Sequence, residues 1–363
     1  MNMTRIDKLH TFMEQNQLDA ILITLPKHVY YLTHFHSDPH ERFMGLVLVR
    51  GEAPVLIVPA LDREAAAEAT GMQNILTHTD TQNAYEVLKQ ALPVSLVRMG
   101  LEKSHFTLTR FEAMQEVIHA SEYIDIDEPL KQMRMIKTSD EVLRMKRAVQ
   151  VVEDVLRAGL KKVQAGVTEV EIVAELEYQM KKLGAESPAF TTIVLAGEKG
   201  ALPHGHAGSR KIQAGELLLF DLGVYVDGYA SDITRTFAVG EVNGKLKEIY
   251  ETVLAGNLAG IDAVRPGVTL ASVDRAARDV IAARGYGEYF IHRLGHGLGI
   301  DVHEYPSVHE QNQDMLQAGM VFTIEPGVYI PGLAGVRIED DVIVTENGVE
   351  VLTTFPKELT VIG

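Results

Sequence analysis

The spacing of hydrophobic positions divides the chain into an alternating first region and a longer second region. In the first region, short apolar runs at 20–25, 44–49, 55–58 and 94–101 predict strands, because runs of this length bounded by Gly or Pro are typical of them. Helical spacing of apolar residues recurs around 62–70, 84–91 and 110–119. We therefore expect an α/β domain over residues 1–128.

A connector at 129–137 is predicted to lead into a long helix. Thr138 is followed three residues later by Glu141, which is the pattern of a capping box. Apolar residues then recur at helical spacing from Val142 to Leu156. We expect the second domain to span residues 138–363.

The second domain contains an internal repeat. Ala158-Gly159, Gly166-Val167-Thr168 and Gly184 recur 101 residues later as Ala259-Gly260, Gly267-Val268-Thr269 and Gly285. The segment AGELLLFDLGVYV at 214–226 likewise matches AGMVFTIEPGVYI at 318–330, which places Asp221 on Glu325. The period is too long for a solenoid, so we predict a duplicated domain with pseudo-twofold symmetry.

Carboxylates in apolar strands are the first candidates for chemistry. Asp227-Gly228 is a hairpin turn signal, and a hairpin folded there sets Asp221 and Asp232 about one diagonal step apart. Two bare carboxylates at that distance repel each other, and a divalent cation between them removes the repulsion. Glu325 and Glu339 repeat the arrangement in the second half, and Arg337 is expected to face the same side as Glu339 and to orient it.

Histidines near these acids complete a possible metal site. His292, His296 and His303 cluster in IHRLGHGLGIDVHE, and His204 lies in a turn-rich PHGH segment. Each histidine alone is more often a surface or core residue than a catalyst. Four carboxylates and one imidazole form an oxygen-rich set that suits manganese, cobalt or iron, with zinc as a further option.

Composition narrows the function further. The chain has 363 residues, no cysteine and a formal net charge of −16. The absence of cysteine excludes disulfides and thiolate ligands, and the negative charge makes nucleic acid a poor partner. No secretory signal or apolar run of membrane-spanning length is visible, so we expect a cytoplasmic protein without a membrane partner.

The motifs DLG, SDITR, LGHGLG, TIEPG and RIED, in that order, resemble those of the pita-bread metallopeptidases. This family includes methionine aminopeptidase, aminopeptidase P and prolidase. The first domain resembles the amino-terminal domain of the creatinase, aminopeptidase P and prolidase branch. The resemblance implies a two-domain α/β (α+β) protein with an N-terminal creatinase-like domain and a C-terminal pita-bread domain. It also implies hydrolysis of the peptide bond preceding proline, by a hydroxide that bridges two divalent metal ions.

The resemblance also assigns residues by their motif positions. The implied metal ligands are Asp221, Asp232, His296, Glu325 and Glu339, with Mn²⁺ as the expected ion and Co²⁺, Fe²⁺ or Zn²⁺ as alternatives. The implied catalytic residues are His204, His292, His303 and Arg337, together with Glu325 as general base or proton shuttle. Thr234 is expected to hydrogen-bond a metal-bound water.

Several alternatives remain open at this point. An Xaa-Pro dipeptidase is the preferred interpretation, because the chain is short, but the arginine that larger prolidases carry about fourteen residues before the Glu325 equivalent is missing from HEQNQDML. Aminopeptidase P, which accepts longer peptides, is the nearest alternative. Methionine aminopeptidase has no need of the leading domain, and intact ligands argue against a catalytically silent binding module. A homodimer is expected, in which the histidine-rich loop 34–40 covers the neighbouring site.

Overall fold

The computed structural model describes residues 1–363, which divide into two compact units, Met1–Arg134 and Met135–Gly363. A helix, Asp127–Met135, occupies much of the stretch predicted as a connector. The predicted end of the first domain at residue 128 and the predicted start of the second at residue 138 therefore remain predictions. No helix combines the length and the apolar character needed to cross a membrane.

The first unit contains one six-stranded sheet and six α-helices, which alternate with the strands in parts of the chain. Its helices are α1 Met3–Asn16, α2 Pro26–Thr33, α3 Arg63–Thr70, α4 Ala84–Lys89, α5 Leu108–Gln115 and α6 Asp127–Met135, which ends one residue into the second unit. Its strands are β1 Ala20–Ile23, β2 Gly45–Val49, β3 Val55–Pro59, β4 Ile75–His78, β5 Arg98–Leu101 and β6 Glu122–Asp125. The six strands form one mixed sheet in the order β4-β3-β2-β1-β5-β6.

Burial explains which of these strands the apolar pattern predicted. All four residues of β1 are fully buried, as expected for a central strand that is covered on both faces. The predicted strands at 20–25, 44–49, 55–58 and 94–101 correspond to β1, β2, β3 and β5. The edge strands β4 and β6 were not predicted, because each has four residues and is only partly apolar.

The second unit contains four long helices and fourteen short strands. The helices are α7 Ser139–Leu160, α8 Glu169–Lys182, α9 Gly244–Ala263 and α10 Leu270–Ala283. The strands of the first half are β7 Ser187–Pro188, β8 Ile193–Ala196, β9 Glu216–Leu222, β10 Val224–Val226, β11 Tyr229–Ala230 and β12 Ile233–Val239. Those that follow are β13 Gly295–Gly297, β14 Glu304–Val308, β15 Val321–Ile324, β16 Gly327–Ile330, β17 Ala334–Arg337, β18 Asp340–Thr345, β19 Gly348–Val351 and β20 Val361–Ile362.

The predicted duplication is visible in the helix pairs and in their caps. Helix α7 and then α8 precede the strands of the first half, and α9 and α10 precede those of the second. Thr168 and Thr269 cap α8 and α10 with equivalent side-chain hydrogen bonds, and Thr138 forms the predicted capping box at α7. Gly166 and Gly267 precede the two caps with φ of +97° and +80°, in the left-handed region that favours glycine.

Each half of the second unit has its own hydrophobic core. In the first half, α7 and α8 pack on β8, β9 and β12. In the second half, α9 and α10 pack on β15, β17 and β18. Of the carboxylates singled out in the sequence, Asp221 lies on β9, and Asp232, Glu325 and Glu339 lie next to the ends of β12, β15 and β18, which are anchored in these two cores.

Candidate active site

The first pair of acids lies on a regular β-hairpin. Asp221 on β9 is paired with Thr234 on β12, so Asp232 is two residues from its cross-strand position. The turn at the tip contains Asp227 and Gly228 with φ of +51° and +74°, the backbone of a type I′ hairpin. The diagonal placement expected from the sequence is confirmed.

The second pair of acids faces across a gap in the strands. The pairs Ile324–Asp340 and Gly327–Arg337 flank Glu325 and Glu339, which places these two acids opposite each other. The sequence placed Glu339 within a continuous strand, but the ladder is interrupted there. The reason is that the backbone N–H of Glu339 donates to the carbonyl of Thr234 in the first half, at 3.1 Å.

The two pairs and His296 converge on one point. Nε2 of His296 lies 3.3 Å from Oε1 of Glu325 and 3.8 Å from Oδ2 of Asp232. Three overlapping groups have ligand atoms within 4.8 Å of one another: Asp221, Asp232 and Glu339; His296, Glu325 and Glu339; and Asp232, His296 and His303. Oδ1 of Asp232 and Oε1 of Glu339 are buried without a hydrogen-bond donor, which is the environment that a bound cation would satisfy.

Electrostatics favour a cation at this point. Burial raises the pKa of Asp232 and Glu339 well above the usual range, and repulsion from the neighbouring carboxylates raises both further. Burial likewise raises the pKa of Glu325 to about 7. These acids therefore favour either protons or a positive ion at neutral pH, and divalent metal ions fit the donor set.

Two glycines allow His296 to occupy its place. A Cβ on Gly295 would lie 1.8 Å from the carbonyl oxygen of Thr323, and one on Gly297 would lie 2.2 Å from that of Tyr305. Burial, followed by the charge of His303, lowers the pKa of His296 to about 3, so the imidazole is neutral. Because Nδ1 lies 3.1 Å from the carbonyl of Gly297, the proton is assigned to Nδ1 and the lone pair of Nε2 faces the acids.

Arg337 contacts the acids differently from the expectation. Its guanidinium donates to Oδ2 of Asp221 and, at 3.1 Å, to the hydroxyl of Thr234. That hydroxyl donates to Oε2 of Glu339 at 2.6 Å. Arg337 therefore orients Asp221 directly and Glu339 only through the hydroxyl of Thr234.

A tyrosine that the sequence did not single out connects Arg337 to His292. The hydroxyl of Tyr329 accepts from Nη1 of Arg337 at 2.7 Å and lies 2.9 Å from Nε2 of His292. Since Nδ1 of His292 lies 2.7 Å from the carbonyl of Arg293, Nε2 is assigned as the acceptor from Tyr329. Burial lowers the pKa of His292 to about 4 and raises that of Tyr329 to about 12, so both groups are neutral. The repeat offered a signal, because Tyr329 matches Tyr225.

A buried network behind the acids was also missed. Arg235 donates to the carbonyls of Thr234 and Glu339 and, at 2.8 Å, to the carboxylate of Asp340. Asp341 accepts from the backbone N–H of Asp232 at 3.1 Å, and burial raises its pKa. These contacts join the segments that contain Asp232 and Glu339.

All nine predicted site residues line one cavity of about 1200 Å³. They are Asp221, Asp232, His296, Glu325, Glu339, His204, His292, His303 and Arg337. The ring of His303 lies 3.8 Å from that of His296, measured between centroids. His204 lies in the loop after the short 3₁₀ helix Gly197–Ala201. Phe190, Ile193, Leu202, Ile291 and Val302 add apolar surface to the same cavity.

The family models divide the chain as the two units do. Residues 143–346 match metallopeptidase family M24, and residues 5–136 match the creatinase/prolidase N-terminal domain. The chain belongs to metallopeptidase family M24. As a family M24 protein it combines the creatinase-type N-terminal domain with the pita-bread domain, and family membership implies divalent metal ions.

Relatives of this family M24 protein match it from end to end. A putative dipeptidase, YkvY of Bacillus subtilis, is 41% identical over 363 residues, covering 99% of this chain and 100% of the relative. The Xaa-Pro dipeptidase from Bacillus anthracis is 37% identical, with a TM-score of 0.93 and 99% of each chain covered. The X-Pro aminopeptidase from Thermotoga maritima is 34% identical, with a TM-score of 0.88, and covers 95% of this chain and 98% of its own.

Proposed function

We propose that this protein is a dinuclear metallopeptidase that hydrolyses the bond preceding proline, acting as an Xaa-Pro dipeptidase. The observation that carries the proposal is the convergence of four carboxylates and His296 in one cavity, with buried oxygens of Asp232 and Glu339 that lack donors. The likeness to the Xaa-Pro dipeptidase from Bacillus anthracis supports the reaction.

Two divalent ions would be held by five side chains. The proposed ligands are Asp221, Asp232, His296, Glu325 and Glu339, whose four carboxylates balance the charge of two divalent cations. We propose Mn²⁺, because oxygen donors with one imidazole suit it, with Co²⁺, Fe²⁺ and Zn²⁺ as alternatives. When bound, such a pair supplies Lewis acidity that activates water and polarises a carbonyl.

The remaining residues bind substrate and move protons. We assign Glu325, which lies opposite Glu339 in the cavity, the transfer of a proton to the leaving proline nitrogen. His204 and His303 both line the cavity. We assign His204 to contact with the scissile amide and His303 to contact with the substrate carbonyl. The neutral imidazole of His292 and the guanidinium of Arg337 are joined by the hydroxyl of Tyr329 and form one wall of the cavity. Arg337 also donates a hydrogen bond to Asp221.

Selection for proline rests on the missing amide hydrogen. An ordinary peptide bond brings an N–H that must find an acceptor once it is buried in the cavity, whereas a bond to proline brings none. The polar groups of His292, Tyr329 and Arg337 already hydrogen-bond one another. The wall that they form can therefore contact the proline ring, but it offers no free acceptor to an amide N–H.

An Xaa-Pro aminopeptidase is the second candidate. The cavity of about 1200 Å³ is larger than a usual small-ligand site of roughly 300–1,000 Å³, which leaves room beyond a dipeptide. The likeness to the X-Pro aminopeptidase from Thermotoga maritima favours the same candidate.

One assay separates these functions. Chelated protein is reloaded with Mn²⁺, Co²⁺ or Zn²⁺ and given Leu-Pro, Leu-Pro-Ala and the control dipeptide Leu-Ala. We expect cleavage of Leu-Pro, little cleavage of the other two, and complete loss on chelation. Equal or better cleavage of Leu-Pro-Ala would favour the aminopeptidase, and resistance of both proline peptides with every metal would exclude the proposal.

We propose that the protein is a cytoplasmic homodimer. The motive is the loop 34–40, where His34, His36 and His40 are exposed on a unit that carries none of the proposed catalytic residues. Light scattering combined with activity across dilution tests the dimer. A fully active monomer would contradict it.

A further inference from the structure

A fully buried carboxylate lies at the start of α8, outside the set of residues that line the cavity. The side chain of Glu169 has no exposed surface, whereas that of its partner Lys199 is 26% exposed. Oε1 of Glu169 accepts from the backbone N–H of Ala196 at 2.9 Å, and Oε2 accepts from that of Gly208 at 3.0 Å. The ammonium group of Lys199 donates to Oε2 as well. A buried charge is costly unless it is paired and hydrogen-bonded, and these three donors meet both needs.

All three donors belong to one segment, residues 196–208, which we call the His204 loop. Ala196 ends β8 and begins this loop, and Gly208 ends it, so a single carboxylate holds both of its ends. Lys199 lies in the 3₁₀ helix near the start of the loop and also donates to the carbonyl of His206, at 3.0 Å. Glu169 and Lys199 together therefore attach the loop to α8 at its start and near its end.

His204 lies in the middle of this loop, at the corner of a tight turn. The backbone N–H of Gly205 donates to the carbonyl of Leu202 at 2.9 Å, which places Pro203 and His204 at the two central positions. This turn holds the chain only within four residues. The contacts of Glu169 tie the turn to the rest of the fold, and with it the position at which His204 enters the cavity.

The second half of the unit starts its equivalent helix without a buried charge. Thr168 caps α8 and Thr269 caps α10, and the residue that follows is Glu169 in the first case and Leu270 in the second. The backbone N–H of each of these two residues donates to a carbonyl outside its helix at 3.0 Å, and Leu270 is fully buried as well. Because an apolar residue starts α10 in the same way, the carboxylate of Glu169 is explained by the His204 loop and not by the helix.

We propose that Glu169 is a positioning residue for His204, an inference that rests on the proposed function. Glu169 lies outside the cavity, but its carboxylate fixes both ends of the His204 loop and thereby the place of the imidazole. A displacement of about 1 Å in a group at the reacting bond can lower the rate about 100-fold. Loss of Glu169 should therefore slow the reaction through His204, and should matter little in an enzyme that already lacks His204.

A double-mutant cycle on the manganese-loaded enzyme tests this role. The parameters kcat and KM for Leu-Pro are measured for wild type, Glu169→Gln, His204→Ala and the double variant. Glutamine keeps the shape and one acceptor oxygen of Glu169, but its amide group faces the donors of Gly208 and Lys199 and cannot accept from them. Glu169→Leu, which copies the residue at the same place in α10, is the second variant and carries the test if the glutamine protein does not fold.

Glu153→Gln is the matched control. Glu153 is likewise buried, with 1% of its side chain exposed, and it accepts from the backbone N–H groups of Thr354 and Phe355 and from Arg157. It holds a segment that carries none of the proposed site residues. A general loss of packing would therefore affect both glutamine variants, whereas an effect through His204 is confined to Glu169→Gln.

We expect Glu169→Gln to lower kcat about 10- to 100-fold, while KM changes by less than about threefold. In the His204→Ala background, the same substitution should lower kcat by less than about threefold. Glu153→Gln should stay within about threefold of its parent in both backgrounds. Amide hydrogen exchange in peptides that cover residues 196–208 should be faster in Glu169→Gln and unchanged in Glu153→Gln.

An unchanged kcat in Glu169→Gln, or an equal loss with and without His204, would overturn the inference. Unchanged hydrogen exchange in the His204 loop would do the same, because the loop would then be held by other contacts. If wild-type enzyme cleaves no proline dipeptide with any metal, the proposed function fails and this role fails with it. That outcome is distinct from the others, because it is observed in the wild-type enzyme before any variant is compared.

Discussion

Replacing Arg235 with methionine is expected to destabilise the second unit severely. The Arg235 side chain is 1% exposed and that of its partner Asp340 is fully buried. Its guanidinium also donates to four carbonyls, those of Thr234, Glu339, Phe355 and Pro356. Methionine fills similar space but provides no donor.

The magnitude follows from these contacts. Breaking a buried ion pair from one side costs about 3–5 kcal/mol. The lower end applies here, because Asp340 keeps Thr353, Asn257 and Lys357 as donors. The carbonyls that lose their donor add about 1 kcal/mol each, although Thr234 keeps the N–H of Glu339. We expect a loss of about 4–6 kcal/mol in the free energy of unfolding.

Urea unfolding of the chelated protein measures this loss. Arg147→Met is the control, because Arg147 is about half exposed and its pair with Asp227 lies at the surface; we expect a change within about 0.5 kcal/mol. Metal affinity should fall in Arg235→Met as well, since the carbonyls of Thr234 and Glu339 lose their shared donor. A loss below about 1 kcal/mol, or one equal to that of Arg147→Met, would refute the reasoning.

Four further outcomes are expected at or near the site. Asp221→Ala should lose at least one of two metal ions by elemental analysis, and unchanged metal content would contradict the ligand assignment. Glu325→Gln should abolish turnover while the circular dichroism spectrum stays unchanged; a variant as active as wild type would remove Glu325 from the mechanism. Because burial raises the pKa of Glu325 to about 7, a proton competes with metal below that pH. The affinity for Mn²⁺ by calorimetry should therefore rise at least about fivefold from pH 6 to 7, where a flat profile would argue against the competition. Gly335→Ala should lower stability by about 1–3 kcal/mol in thermal melts, because its Cβ would lie 1.7 Å from the carbonyl oxygen of Gly200; Gly244→Ala, with open space around the new methyl group, is the control.

Local patterns predicted the elements that carry the site. The Asp227-Gly228 turn fixes the register of its hairpin, and with it the diagonal between Asp221 and Asp232. The repeat likewise predicted the paired helices, because equivalent glycines and threonines recur at their ends. Turn chemistry and caps act over a few residues, so one sequence is enough to find them.

Contacts between the halves could not be predicted in this way. Arg337 reaches Asp221 and Thr234 across more than 100 residues of chain, and Arg235 reaches Asp340 across a similar separation. Periodicity gives the face on which such a residue lies, but not its partner on another element.

The division of the acids between two halves has a consequence for synthesis on the ribosome. A nascent chain that has reached residue 290 carries Asp221 and Asp232, but His296, Glu325 and Glu339 have not yet been translated. Once Glu339 has been translated, its backbone N–H must still bond to the carbonyl of Thr234 in the earlier half. A chain that has not been translated as far as Glu339 therefore lacks part of the proposed metal site.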